Sequence, residues 1–211
     1  GDSYNIGPGG KGCNQAISIS RLGGKVNFIS KLGDDDYGKL AIDKLKKDNI
    51  DTSNIIISSK HKTGVAGIHV DRNTGKNAIT VVRGAPSTLT TKEIDTNLIK
   101  QSKIFLTQLE IPIEVTLHCL KAAKKFGLIN ILNPAPACEL SSDFFSLVDY
   151  FTPNETEAEF YTGVKINDKS DAKVSAQKLI DMGIKKVIIT LGEKGLFYSD
   201  GKEEIYLKAT T

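Results

Sequence analysis

Residues 103–132 read KIFLTQLEIPIEVTLHCLKAAKKFGLINIL, and this stretch decides the fold class. KIFLTQL (103–109) is an apolar run of strand length, and LINIL (128–132) is a second. Between them, residues 112–126 repeat their apolar positions at helical spacing, opened by Pro112, which suits a first helical turn, and closed by Gly127. Strand, helix and strand in succession make a βαβ unit, because the helix returns the chain so that the second strand runs parallel to the first.

The same rhythm extends in both directions. Downstream, the patterns predict a short helix near 141–147, a strand at 149–152, helices at 154–162 and 169–182, strand KKVIITL (185–191) and a closing hairpin, GLFYSDGKEEIYLK. Upstream, they predict a helix at 12–22 ended by Gly23-Gly24, a strand at 25–32, a helix from about Asp36 to Asp48 and a helix at 91–100. Residues 55–84 have a different texture. After strand-like IIIS (55–58), TGVAGIHVD and KNAITVVRG are joined by Arg72-Asn73-Thr74-Gly75 and read as a β-hairpin. The expectation is one α/β domain over 1–211 with an excursion at the hairpin.

Composition narrows the function. A chain of 211 residues, 39% hydrophobic and 25% charged, can bury a sizeable core. Its net charge is only +3 and its lysines are scattered, so nucleic acid is not an expected partner. No run approaches the roughly 18 apolar residues of a membrane span, and no signal-peptide pattern opens the chain, so a soluble, cytoplasmic protein is expected. Cys13, Cys119 and Cys138 lack C-x-x-C pairing and read as reduced, buried thiols. His61, His69 and His118 have no metal-ligand spacing, and no transition metal is expected.

GPGGKGCNQA (7–16) matches G-x-G-x-x-G through Gly7, Gly9 and Gly12, and Asp34, Asp35 and Asp36 stand where a dinucleotide site wants its acid. The mechanism of that motif needs a buried strand before the glycines, whereas GDSYNI is short and polar. The phosphate loop G-x-x-x-x-G-K-[ST] fails too, since Gly12 follows Lys11. What remains is a glycine turn presenting Lys11 and, in the first turn of a helix, Asn14.

Ligands of open α/β sheets bind beyond the carboxyl ends of the strands. After KIFLTQL stands Glu110, which reads equally as an acid near a helix amino end. After LINIL, Asn133-Pro134-Ala135-Pro136 is a stiff loop, serving a turn or a ligand wall alike. After DYFT, Asn154 and Glu157 form a capping-box pattern, and they also offer an amide and a hard oxygen to a phosphate or a hydrated magnesium ion. After the apolar strand ending at Thr190, Gly192 and Gly195 read as a hairpin turn or as a backbone open to a nucleotide.

Together GGKGCNQA, TGVA with its hairpin, QLE, NPAPA, TPNETEAE and ITLGEKG stand in the order and spacing of the ribokinase-like carbohydrate kinases, which the whole chain resembles. The resemblance implies a three-layer α/β sandwich with a mostly parallel central sheet and a small β-lid, its strands at about 1–8 and 55–84. It implies ATP-dependent phosphorylation of D-ribose at the 5-hydroxyl. Gly10, Lys11, Asn14 and Glu110 would then bind the sugar. Asn154, Thr190, Gly192 and Gly195 would bind the nucleotide, and Glu157 would serve Mg2+ through water. ATP, Mg2+ and K+ are the implied cofactors, and a homodimer through the β-lid is the implied assembly. The G-x-G-x-x-G match would be accidental.

Members of this family also carry a sugar-binding aspartate on a strand before the position of Gly1, and a D-T-x-x-A-G-D segment with the catalytic base after the segment resembling EEIYLKATT. The base is therefore expected beyond Thr211, and the 211 residues are expected to be inactive alone. The rival readings are another sugar or nucleoside kinase such as a fructokinase or adenosine kinase, a non-catalytic sugar- or nucleotide-binding module, and, most distantly, a dinucleotide oxidoreductase, which requires a buried strand at residues 1–6.

Overall fold

In the computed structural model, which describes residues 4–209, the glycine turn passes directly into α1 (Lys11–Arg21). Ala16 and Ile17 of this helix pack against Leu32 of β1 (Ser30–Gly33), Leu45 of α2 (Asp36–Lys47), Ile50, and Ile55 of β2 (Ile55–Ser58). β1 and β2 run parallel, with Ser30 opposite Ile55. The expected strand at 25–32 enters the ladder only at Ser30. Upstream of that an isolated bridge joins Asn27 to Asp51, and most of the apolar alternation in KVNFIS lies outside the paired strand.

The hairpin forms as expected from β3 (Val65–Val70) and β4 (Asn77–Val82), antiparallel with Val65 opposite Val82. Every residue of both strands is exposed. β2 pairs with β1 and not with this ribbon, so the 55–84 segment expected as one lid divides between two sheets. Residues 4–9 carry no strand, which corrects the expectation of one at about 1–8; residues 1–3 lie outside the described residues. The expected helix at 91–100 is also split, into a 3-10 turn (Thr91–Glu93) and α3 (Thr96–Lys100). Asp95 divides them by accepting the Asn97 N–H at 2.9 Å and starting a new helix.

The remaining elements are β5 (Ile104–Thr107), α4 (Ile113–Lys125), β6 (Ile129–Leu132), α5 (Ser142–Leu147), β7 (Tyr150–Phe151), α6 (Glu155–Thr162), α7 (Lys169–Asp181), β8 (Lys186–Thr190), β9 (Leu196–Ser199) and β10 (Glu204–Leu207). They build a six-stranded sheet in the order β10-β9-β8-β7-β6-β5. β5 to β8 are parallel, and β9 and β10 add an antiparallel hairpin at one edge. Strand residues on one face, Leu132, Phe151, Val187, Ile189 and Phe197, bury against Leu120 of α4, Ala172, Ala176 and Leu179 of α7, and Phe144 of α5. In α4 the buried positions Val115, Thr116, Cys119, Leu120 and Ala123 form one helical stripe, which is what the sequence periodicity encodes.

These two cores are separate clusters, and the chain divides accordingly into two units: Gly1–Ile94 with Glu110–Pro112, and Asp95–Leu109 with Ile113–Thr211. The sequence reads as one domain because its βαβ rhythm does not change at the boundary. No helix among the described residues is long and apolar enough to cross a membrane.

Candidate functional site

In the first unit, Gly10 is the N-cap residue of α1 at φ 87°, a left-handed conformation that glycine adopts without strain. It has no side chain to cap the helix, and Glu110 takes over that role. Its Oε2 accepts the Lys11 N–H at 2.9 Å, and its Oε1 lies 3.6 Å from Lys11 Nζ. Glu110 was readable as an acid at the start of the helix that follows it, but it serves the start of α1, where a carboxylate is favoured by the helix dipole. Asn14 lies one turn on, on the Lys11 side of the helix, and is exposed. Gly10, Lys11 and Glu110 are thus brought into contact, with Asn14 beside them.

This pair contributes little to stability. Lys11 and Glu110 side chains are 42% and 38% exposed, and such pairs contribute about 0–1 kcal/mol. Two opposite charges held open to solvent on a glycine turn are an arrangement that hydroxyl groups can use.

In the second unit, the capping box at the start of α6 is fully made. Asn154 Oδ1 accepts the Glu157 N–H at 2.8 Å and the Thr156 hydroxyl at 2.9 Å, while Glu157 Oε2 accepts the Asn154 N–H at 2.9 Å. The box uses the oxygen of Asn154. Thr190 joins Asn154 through a β-bridge, and its N–H donates to Pro153 O at 2.9 Å. The Thr190 hydroxyl is 3.5 Å from the same carbonyl, a distance too long to hold it firmly. Asn154, Glu157 and Thr190 therefore stand together at the carboxyl ends of β7 and β8.

The turn after β8 is closed by Leu191 N–H donating to Gly195 O at 2.8 Å. Gly192 (φ 54°) faces open space, but a Cβ on Gly195 (φ 105°) would run into the backbone of Leu207 and Ala209. Close approach at Gly195 is thus an approach to the protein's own chain. Leu191 and Lys194 also line an open pocket of about 170 Å³ with Glu155, Asn167, Asp168 and Tyr206.

Two supports of this region were not read from the sequence. Asn133 Nδ2 donates to Thr152 O at 3.0 Å, tying the ends of β6 and β7 together. Tyr161 donates to Cys138 O at 3.0 Å and accepts the Cys138 N–H at 3.4 Å, pinning the NPAPA loop to α6. Burial pushes its phenol up to about 12. Only the aromatic character of Tyr161 signals this role in the sequence.

All three cysteines are free thiols; Cys119 is buried and its thiol is pushed up to about 11, while Cys13 and Cys138 are only partly covered. Among the described residues, no group of three or more His, Cys, Asp or Glu could hold a metal ion. The dinucleotide reading lacks its strand over residues 4–6, and Gly12 lies inside α1.

The fold and motifs define a carbohydrate kinase: residues 1–211 match the pfkB family carbohydrate kinase model, and the chain belongs to that family. It is 43% identical over 208 residues to the ribokinase of Haemophilus influenzae, covering 97% of this chain and 68% of the relative. It is 34% identical over 210 residues to the deoxyribokinase of Salmonella typhi, covering 98% of this chain and 68% of the relative. Among solved structures, Arabidopsis thaliana ribokinase complexed with ribose and ATP aligns with a TM-score of 0.88 at 26% identity, covering 98% of this chain and 68% of that one. The fold is therefore ribokinase-like, and the chain spans about two-thirds of the length of each of these proteins.

Proposed function

We propose that this chain supplies the sugar- and phosphate-binding parts of an ATP-dependent kinase that phosphorylates D-ribose at its 5-hydroxyl. The observation that carries the reading is the Lys11–Glu110 pair, fixed at the start of α1 yet open to solvent. A cation and a carboxylate side by side suit neighbouring sugar hydroxyls, each of which both donates and accepts.

In this reading Lys11 Nζ and the Asn14 amide donate to hydroxyls, Glu110 accepts from them, and Gly10 lets the sugar approach the backbone. The Asn154 amide and the Thr190 hydroxyl donate to phosphate oxygens, and the turn at Gly192 and Gly195 lines the nucleotide. The sugar oxygen bonds to the γ-phosphorus as the bond to the β–γ bridging oxygen breaks, giving ribose 5-phosphate and ADP. Orientation and charge neutralisation are most of what such a transfer asks of a protein. The hydroxyl proton passes to a general base, a role assigned to no residue of this chain. Glu157 would serve Mg2+ as an outer ligand, because its carboxylate stands at the start of α6 beside Asn154 and a hard oxygen there suits a hydrated ion. When bound, the ion neutralises charge on the phosphates. K+ belongs to the same reading, with no residue assigned to it.

The hairpin β3–β4 serves in this reading as a lid over the sugar and as the dimer contact. Its Val65, Ile68, Val70, Ile79, Val81 and Val82 are all exposed, and a two-stranded ribbon with apolar side chains in water invites a partner. Reduced thiols and a need for ATP favour the cytoplasm. A second reading, phosphorylation of 2-deoxyribose, is favoured by the deoxyribokinase relative. Calorimetry of the 211-residue chain with ribose, 2-deoxyribose and Mg·ATP tests these readings. Ribose binding that is lost in Lys11→Met supports the first, preference for 2-deoxyribose supports the second, and absence of both sugar and nucleotide binding overturns them.

A further inference from the structure

The acidic run Asp34-Asp35-Asp36 has no part in the reading above, but one of its members is engaged in an unusual way. Asp35 is the N-cap of α2, with Oδ1 accepting the Gly38 N–H at 2.9 Å. Its second oxygen, Oδ2, accepts the N–H of Thr63 at 2.8 Å, and only Gly64 separates Thr63 from β3. Thr63 returns the contact: its buried hydroxyl accepts the Gly33 N–H at 2.9 Å. Glycines make this closeness possible, since a Cβ on Gly33 would sit 2.5 Å from both Asp35 Oδ2 and Thr63 N. The Asp35 carboxyl is held below the usual carboxylate range, first by the Thr63 N–H and then by that of Gly38.

The two legs of the hairpin approach each other closely just beyond this clasp. A Cβ on Gly64 would lie 2.5 Å from Arg83 O, and one on Gly84 would lie 2.5 Å from Gly64 N. Ala85, fully buried, donates its N–H to Lys62 O at 2.7 Å. Burial changes abruptly here: Thr63 and Ala85 are buried, and every residue from Val65 to Val82 within the strands is exposed. The ribbon therefore has a fixed root and strands exposed along their length, which puts its anchorage at residues 63–64 and 84–85.

We propose that Asp35 is the positioning residue for the hairpin β3–β4, holding its root through the Thr63 amide while capping α2 with its other oxygen. Asp34 and Asp36 do not share this role; Asp34 uses its backbone N–H toward Ser58 O, and Asp36 is exposed with Lys39 at 3.6 Å. Any consequence for sugar binding rests on the lid reading above, whereas the placement of the hairpin does not.

Asp35→Asn separates the two functions, because asparagine caps helices as well as aspartate does but offers one acceptor oxygen where aspartate offers two. Hydrogen exchange on the 211-residue chain should show the Thr63 amide and the hairpin root (63–65 and 82–85) exchanging about tenfold faster or more in Asp35→Asn, as expected for loss of a hydrogen bond to a charged group. The amides of α2 should keep their protection, and Asp36→Asn should change neither region. Unchanged exchange at Thr63, or equal loosening of α2, overturns the proposal. Calorimetry with ribose is the separate arm. Faster exchange at the root with unaltered ribose affinity leaves Asp35 in its place and overturns the hairpin's role as a lid.

Discussion

Glu157 is both a helix cap and the proposed outer ligand of a magnesium ion, and Glu157→Gln can tell these apart. In the structure its Oε2 accepts the Asn154 N–H at 2.9 Å, and a glutamine oxygen can occupy the same position, since capping boxes accept either residue. What Gln loses is a charge in the first turn of α6, where Glu155 remains, at a cost of about 0.3–1 kcal/mol. Glu157→Ala also loses the reciprocal bond, which brings the cost to about 0.5–2 kcal/mol. Urea unfolding should therefore rank wild type, Gln and Ala in that order, with Gln close to wild type. Binding should rank differently. Loss of a carboxylate that orients metal-bound waters costs about 10–100-fold in affinity, so Gln and Ala should both weaken Mg·ATP by that factor and leave metal-free ATP unchanged. If Gln binds Mg·ATP as wild type does while Ala is destabilised, Glu157 is a cap alone and the magnesium assignment fails.

Glu110→Gln should cost under about 1 kcal/mol in urea, since the pair it breaks is exposed, and should weaken ribose binding about tenfold or more by calorimetry. Gly195→Ala should destabilise by at least about 1–3 kcal/mol because φ is 105° and the backbone of Leu207 occupies the space, whereas Gly192→Ala, facing open space, should cost only about 1 kcal/mol. Tyr161→Phe removes both hydrogen bonds to the Cys138 backbone and should lower stability by about 1–3 kcal/mol while making the Cys138 thiol react faster with a maleimide. Asp35 has a folded pKa below its unfolded value of about 3.9, so its stabilisation is complete above that value and is lost as pH falls through the folded one. Thermal melts between pH 6 and pH 3 should accordingly fall less steeply in Asp35→Asn than in wild type.

Elements with a full period of apolar residues were readable at their places: β2 falls at 55–58, and the hairpin strands lie inside TGVAGIHVD and KNAITVVRG. Errors arose where local pattern and pairing disagree. KVNFIS alternates like a strand, but pairing depends on a partner far along the chain, and the ladder reaches only Ser30. Asp95 inside the expected helix at 91–100 was a visible cap, and Glu93 completing a box with Thr90 marked a separate start. The Lys11–Glu110 contact joins residues 99 positions apart, so no window of sequence holds both; the whole-chain pattern named both residues for one sugar but set them on opposite sides of it, and their direct contact was not foreseen.

The glycines show why such a pattern names residues better than it names their reasons. Gly10 has a Cβ position 3.7 Å from Glu110 Oε2, an ordinary contact, so φ 87° and not crowding requires glycine there, and the space beside it stays available to a ligand. Gly195 belongs to an equally suggestive motif, but Leu207 and Ala209 fill that space, and substitution there acts on folding before it can act on binding. At the root of the hairpin the backbone of Arg83 excludes a Cβ on Gly64, and the backbones of Gly64 and Lys62 exclude one on Gly84, which makes both glycines part of its anchorage. Glycine in a motif thus marks a ligand approach only where the vacated Cβ volume opens to solvent. By that criterion Gly10 and Gly192, and not Gly195, are the positions at which an added methyl group should obstruct sugar or nucleotide without first disturbing the packing of the chain.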